Sequence, residues 1–384
     1  MTWMTMDVED QRVRFVVLAS REERPFTGLC AEFGISRPTG YLWLERFRQQ
    51  GVEGLCEHSR RPHLSPQQTG LRLEAAVVAA RLSFPDWGAR KLAVLLSRRG
   101  THLPVTTIHR ILLRCGMVRE QDRQQAAVTR FERAQANDLW QMDFKGPLRP
   151  GEALGPLSVL DDHSRYLVAL EQLASTRGEL VREQLEQVFA DCGVPEAMLM
   201  DHGTPWWGRQ APQGLTRLAL WLIRQGVELH FSRVRHPQTQ GKVERFHGEL
   251  QRAADRRGAP AGLADRQEWL DEYRWEHNYL RPHEALGMAT PASRWQPSPR
   301  RYDPHPAEWH YAEGAHVLKV DSDGKIKSGG RHWTISLALA GERVQLEPIE
   351  DRILVYYCRT LVRELDLAKQ RSTIVDRCFD AEIS

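Results

Sequence analysis

No stretch of this 384-residue chain approaches the roughly 20 consecutive apolar residues that a membrane-crossing helix needs. Its opening, MTWMTMDVEDQ, turns acidic before an apolar core of signal-peptide length can form. The expectation is a cytoplasmic protein with no membrane partner. Cysteine is sparse. The six, Cys30, Cys56, Cys115, Cys192, Cys358 and Cys378, are scattered without a CxxC pair, which excludes a zinc knuckle or a thioredoxin-like redox motif. They read as small, mostly buried side chains in a reducing compartment. Net charge is also small, +3, but unevenly spread: residues 1–136 hold 21 Lys and Arg against 14 Asp and Glu, and the remainder 32 against 36. The surplus of positive charge sits in the N-terminal third, where it suits a polyanionic partner as well as a solvated surface.

At this length several modules are expected rather than one domain. The first, residues 1–56, reads as a helix near Val8 to Ala19 and a short helix over Thr27 to Phe33 with Thr27 as N-cap. A break at Gly34-Ile35-Ser36 leads to a third helix, RPTGYLWLERFRQQG. In that helix Tyr41, Leu44 and Phe47 fall on one face, leaving Arg37, Thr39, Arg46 and Arg48 largely elsewhere. The pattern is a helix-turn-helix whose last helix is shaped for a major groove, with a plain helical bundle as the alternative. A basic, proline-bounded linker (57–66) carries Arg60 and Arg61 as candidate phosphate contacts. A second helical unit (67–118) follows: Leu71 to Leu82, Gly88 to Leu96, and TIHRILLRCG capped by Thr106 and ended by Gly116. Thr107 and Arg110 are its candidate DNA contacts, although periodicity alone does not separate a second helix-turn-helix from a spacer.

After a polar linker (119–137) the texture changes. DLWQMDF, then PLSVLDDHSRYLVALEQL as two strands about a turn, precede the amphipathic helix TRGELVREQLEQVFADCG. PEAMLMD (strand), QGLTRLALWLIRQG (helix), VELHFSRV (strand), GKVERFHGELQRAADRRG (helix) and RQEWLDEYRWEHNYL (helix) complete residues 138–295. The order βββ, α, β, α, β, α, α predicts a mixed α/β sheet with helices on its faces. A proline-rich linker (296–310) leads to short strands over 311–360 whose size fits a small β-barrel, and residues 361–384 carry no clear pattern.

Three of the 50 acidic residues stand out by position. Asp143 lies in the first core strand, Asp201 ends the fourth at DHGTPW, and Glu244 lies in the first turn of a helix. Carboxylates at strand ends are held rigidly yet escape full burial, as a metal site requires. Hard oxygen ligands suit Mg²⁺ or Mn²⁺. Two such ions, about 3.5–4 Å apart, serve phosphoryl chemistry without a covalent nucleophile.

WQMDFKG, VLDDHSRY, MDHGTPW, HPQTQGKVERFHGEL and NYLRPHEAL, in that order, resemble the catalytic core of the retroviral integrase superfamily, and most closely bacterial insertion-sequence transposases of the DDE type. The resemblance implies a ribonuclease-H-like core over 138–295. It places the metal-binding triad on Asp143, Asp201 and Glu244, with two Mg²⁺ ions and Mn²⁺ as a substitute. The implied reaction is cleavage of a phosphodiester at the 3′ end of a mobile element and transesterification of the freed 3′-hydroxyl into target DNA. Double-stranded DNA, both element ends and target, would be the partner of a homo-oligomer that is at least a dimer, in a bacterial cytoplasm and on the nucleoid when bound. Two departures stand out: His202 follows Asp201 where the family usually has Asn, and the 42 residues between Asp201 and Glu244 exceed the usual spacing, the extra length falling in WWGRQAPQGL.

Lys242 and Arg245 flank Glu244 and are candidates to grip phosphates near the cut. His247, one turn on, stays open between the site and a packing role. Asp161 and Asp162 read as a structural Asx turn, Trp206 and Trp207 as buried beneath the sheet in preference to base-stacking platforms, and Asn278, Arg281, Pro282 and His283 as a structural turn. A non-catalytic DNA-binding regulator or domesticated transposase is the alternative function. A simple ribonuclease-H-like nuclease is disfavoured by the tandem helical units.

Overall fold

A computed structural model describes residues 8–57, 69–118, 132–208, 214–232 and 240–375. The chain divides into two compact units, Met1–Thr69 and Gly70–Ser384.

The first unit is three helices, α1 (Val8–Ser20), α2 (Phe26–Glu32) and α3 (Arg37–Gln50), closed by a 3₁₀ turn at Gly51–Leu55. Pro25, not Thr27, occupies the cap of α2; its fixed φ suits a helix entrance, and Thr27 lies inside the helix. Ser36 caps α3 by accepting from the Thr39 amide at 3.3 Å. The buried face of α3 is Gly40 and Leu44, with Trp43 and Phe47 against the core. Tyr41, expected on that face, is 58% exposed and stacks on Phe26 at 4.2 Å. The helix is rotated because Gly40 is the point of closest approach: a Cβ there would come within 2.8 Å of the Cys30 sulfur and 2.9 Å of the Phe15 ring.

The second unit begins with α4 (Leu71–Ser83), α5 (Ala89–Arg98) and α6 (Val105–Arg114), packed about Val77, Trp87, Leu92, Leu95, Ile108 and Ile111. Pro104 rather than Thr106 stands at the cap of α6. The central sheet follows: β1 (Trp140–Phe144), β2 (Leu157–Asp161), β3 (Leu167–Glu171), α7 (Gly178–Cys192) and β4 (Ala197–Met200). Then come a two-rung ladder of β5 (Trp207–Gly208) and β6 (Gly214–Leu215), α8 (Arg217–Arg224), β7 (Glu228–Phe231), α9 (Gly241–Arg257) and α10 (Leu263–Trp275). Its strand order is β3-β2-β1-β4-β7. The first three strands pair antiparallel, and β1, β4 and β7 run parallel. Apolar residues on both sides of the strands explain why these segments read as near-continuous hydrophobic runs. One face packs on α7 and α8 through residues such as Trp140, Val159, Leu185, Phe189 and Leu222. The other packs on α9 and α10 through Leu160, Leu167, Leu170, Phe246, Leu250 and Leu270.

Residues 296–303, expected as linker, lie along the core: the Val194 amide donates to the Arg300 carbonyl at 2.8 Å, and Trp295 stacks on Tyr166 at 4.0 Å. Beyond them come β8 (His316–Lys319), β9 (Lys325–Ser328), β10 (Arg331–Thr334), β11 (Arg343–Ile349), β12 (Arg352–Tyr357), β13 (Thr360–Asp366) and β14 (Arg371–Ile374). The expected barrel is not closed. Strands β14-β13-β12-β11-β8 form an open antiparallel sheet, and β9 and β10 pair apart from it. The sheet also runs past residue 360, where a charged sequence hides the alternation: in TLVRELD, Val362 and Leu365 are buried, and so is Arg363. Arg224 of α8 ties this sheet to the core, donating to the Tyr357 hydroxyl at 2.6 Å and to both Glu342 oxygens at 2.6 Å.

Candidate active site

Because β1 and β4 are parallel neighbours, their C-terminal ends lie side by side, and each ends in a carboxylate. Asp143 is the fourth residue of β1, and Asp201 follows Met200, the last of β4. Burial pushes the Asp143 carboxyl up to about 7, helped by the negative charge of Asp201 and opposed by a hydrogen bond from the Phe144 amide; Glu244 adds the smallest push in the same direction. Asp201 is held through one oxygen, Oδ1, which accepts from the Gly203 amide at 2.8 Å and from the Trp206 indole Nε1 at 2.7 Å.

Glu244 reaches the same end of the sheet on the exposed first turn of α9. Its position follows from how that turn is pinned. The Val243 amide donates to Gln141 Oε1 at 3.3 Å, Gln141 Nε2 donates to Asp162 Oδ1 at 2.8 Å, and Lys242 Nζ lies 2.5 Å from Asp162 Oδ2. Lys242, expected to grip phosphates, is paired in this structure with a fully buried carboxylate. Arg245, next to Glu244, is exposed. Partial burial raises the Glu244 carboxyl. Asp143 and Asp201 act on each other most strongly, Glu244 is the more exposed, and among the described residues no group of three or more His, Cys, Asp or Glu has closed into metal-holding geometry.

His247 takes the packing role left open for it and also approaches the site. Its Nε2 is 3.0 Å from the Ser158 hydroxyl, and its Nδ1 is 3.8 Å from Asp143 Oδ2. Burial, with the Lys145 charge, pushes its pKa down to about 3, so the ring is neutral beside Asp143 at ordinary pH. Asp161 accepts from the Ser164 amide at 2.8 Å and the Asn137 amide at 2.7 Å, the turn role expected of it. Asn278 likewise is structural, accepting from the Leu167 amide at 2.8 Å and donating to its carbonyl at 3.0 Å. His202 lies edge-on to Trp207 at 4.8 Å and against Phe231 at 5.5 Å. Within WWGRQAPQGL, where the extra length was expected, β5 and β6 pair antiparallel through Trp207–Leu215 and Gly208–Gly214, and residues 209–213 lie outside the described residues.

Of the candidate DNA contacts, Arg37, Arg48 and Arg110 are exposed, and Thr107 is half-buried. Arg46 lies over the Trp43 ring at 5.0 Å, and Thr39 shares a 2.8 Å hydrogen bond with its cap, Ser36. Arg60 and Arg61 fall outside the described residues. Sequence reasoning missed the tie between Trp206 and Asp201. The available signal was that a buried tryptophan's N–H seeks an acceptor, and the strand-end aspartate five residues earlier is the nearest anion in sequence.

Family models cover most of this architecture. Residues 133–237 and 225–291 match integrase core domains. Residues 6–56 and 39–112 match homeodomain-like domains, and 315–373 match the C-terminal domain of IS481 family transposases. An uncharacterized 31.7 kDa protein of insertion element IS407 from Burkholderia multivorans is 26% identical over 57% of this chain and 80% of its own length. The transposase of transposon Tn552 from Staphylococcus aureus is 23% identical over 53% of this chain and 46% of its own. Among solved structures, the HTLV-2 integrase catalytic core domain in complex with magnesium aligns at 15% identity and a TM-score of 0.32, over 42% of this chain and 97% of that one. A simian T-cell lymphotropic virus intasome in complex with the PP2A regulatory subunit B56 gamma aligns at 17% and 0.35, over 73% and 97%. Those scores are too low to add to the family models. The protein is thus a helix-turn-helix protein with an integrase core. It belongs to the DDE transposases of the retroviral integrase superfamily. No described helix is long and apolar enough to cross a membrane.

Proposed function

We propose that the protein cuts and joins DNA at the ends of a mobile element, using Asp143, Asp201 and Glu244 to hold two divalent metal ions. The observation that carries this reading is the pairing of Asp143 with Asp201 at the ends of two parallel strands, with Glu244 arriving on the helix above. The donor set fits the group. It offers carboxylate oxygens only, the choice of Mg²⁺ or Mn²⁺, and burial, with the charges of Asp201 and Glu244, pushes the Asp143 carboxyl up. Gly203 is part of the fit, since a Cβ at that position would lie 2.7 Å from Asp201 Oδ1 and displace the carboxylate.

Bound there, the ions would supply activation of the attacking oxygen and stabilisation of the leaving oxygen. The chain's own contribution is positional. β1 and β4 fix the two aspartates, and the Gln141–Asp162–Lys242 contacts fix the start of α9 and with it Glu244. The exposed arginines Arg37 and Arg48 on α3, Arg110 on α6 and Arg245 on α9 are assigned to DNA phosphates, which position the duplex without reading its sequence. Two element ends must meet for joining, so the working form is at least a dimer on DNA.

Asp143→Asn and Glu244→Gln are expected to abolish Mg²⁺-dependent cleavage and joining of DNA carrying the element's ends while leaving end binding intact, measured by strand-transfer and mobility-shift assays on the same preparations. Joining at the wild-type rate by both variants would remove the site from the reaction. A wild-type chain that binds ends yet never cuts them with Mg²⁺ or Mn²⁺ would favour a non-catalytic regulator.

A further inference from the structure

We propose that Trp206 is a positioning residue for the metal site: its indole N–H and its ring together set the orientation of the Asp201 carboxylate relative to Asp143. The inference rests on the metal-ion reading above.

Trp206 is only 1% exposed, and its Nε1 donates to Asp201 Oδ1 at 2.7 Å. The Gly203 amide donates to the same oxygen at 2.8 Å. With both donors on Oδ1, the carboxylate plane is fixed and Oδ2 is the oxygen offered to a cation. Bonds from neutral donors to an ionised acceptor are short and strong, so they hold orientation as well as charge. The ring does a second task. It stacks on Phe144, the neighbour of Asp143, with centroids 5.8 Å apart and planes within 13°. One side chain therefore spans the two strands whose ends carry the acidic pair. Its own backbone is tied down, because the Trp206 carbonyl accepts from the Thr216 hydroxyl at 3.2 Å, and Thr216 caps α8 by accepting from the Ala219 amide at 3.2 Å. The clamp thus runs from α8 through Trp206 to Asp201 and to Phe144, the neighbour of Asp143. Phenylalanine or tyrosine at this position would keep the stack but place no N–H at the end of the ring system where Oδ1 sits.

Partners that orient a metal-binding carboxylate typically change metal affinity by about 10- to 100-fold when removed. The test is Mn²⁺ titration of the full-length protein without DNA, by calorimetry or paramagnetic resonance. Three variants are compared: Trp206→Phe, the chain with benzothienylalanine at 206 (sulfur in place of N–H at nearly constant shape), and Asp201→Asn. The expected result is that both position-206 variants bind Mn²⁺ about 10- to 100-fold more weakly, that raised Mn²⁺ restores their DNA joining, and that the benzothienylalanine protein melts at the wild-type temperature in metal-free buffer. Wild-type Mn²⁺ affinity in the benzothienylalanine protein, with binding lost in Asp201→Asn, would overturn the role of Trp206 and leave the metal site standing. Wild-type affinity in Asp201→Asn itself would overturn the metal site and this inference with it.

Discussion

Replacing Arg281 by methionine tests what joins the second helical unit to the catalytic core. Arg281 follows α10 in the NYLRPHEAL turn and is 3% exposed. Its Nη1 lies 2.7 Å from Asp86 Oδ2, between α4 and α5, and its Nε lies 3.1 Å from Glu249 Oε2 on α9. Arg257 of α9 pairs with the same Asp86 and, at 2.6 Å, with Glu276, which also accepts from Trp87 Nε1 at 3.0 Å. Burial alone would raise the Asp86 carboxyl, but the Arg281 and Arg257 charges overcome it and hold the group ionised. Glu249 is held down in the same way by Arg281 and Lys91. Methionine matches the stem of arginine but leaves Glu249 facing only Lys91, 3.6 Å away, while Asp86 keeps Arg257. Removing one partner of a buried network costs about 3–5 kcal/mol. Because Asp86 retains a cation, the expected loss lies at the lower end, about 3 kcal/mol. At 2–4 °C per kcal/mol in large domains, the melting temperature should fall by roughly 6–12 °C. Thermal melting of the full-length variant measures this, with Arg281→Lys restoring part of the loss and a double-mutant cycle with Asp86→Asn giving the coupling. A loss below about 1 kcal/mol, the size of an exposed ion pair, would refute the idea that this network welds the two parts.

Acid should act on the same region. Burial pushes His277 down to about 4 and His283 well below its ordinary value, so both fold as neutral rings while the unfolded chain takes up protons near pH 6.5. Stability from these groups is complete above pH 6.5 and falls as pH drops toward 4, on the order of 3 kcal/mol for His277 alone. The depressed Asp86 and Glu249 add a further loss below about pH 4. Melting followed from pH 7 to about pH 2 reads both, and a curve flat between pH 7 and pH 4, or one unchanged by His277→Gln, would show that the buried histidines do not titrate on unfolding. Deletion of residues 1–69 should leave the Gly70–Ser384 unit folded but abolish the sequence-specific footprint on element ends. Deletion through residue 118 should instead unfold or aggregate the chain, because it removes Asp86, Trp87 and Lys91 from the network. A specific footprint retained by residues 70–384 would move recognition to α4–α6.

How far the sequence could be read depended on whether a feature is local. The strands and helices of the core are local: their apolar periods and glycine stops fall within ten to twenty residues. The observed order β1 to α10 follows the expected one, apart from the short β5 and β6 strands. Motif context singled out Asp143, Asp201 and Glu244 as the proposed triad, and the strand ends that carry the first two follow from the same local pattern. Features set by pairing between distant segments were not legible. Closure of the C-terminal strands depends on whether β14 pairs with β8, about 55 residues apart, and no local period encodes that contact. Arg281 meets Asp86 across 195 positions, and Lys242 meets Asp162 across 80. Near Glu244 a lysine reads as a phosphate ligand until the fold supplies a buried carboxylate that must be neutralised. By itself the sequence determined the elements, their order and the acidic residues at the strand ends. The tertiary structure alone decided which cations are spent inside the protein, which way α3 turns its faces, and that Trp206 holds Asp201, because each depends on desolvation and close approach between segments that the chain brings together only on folding.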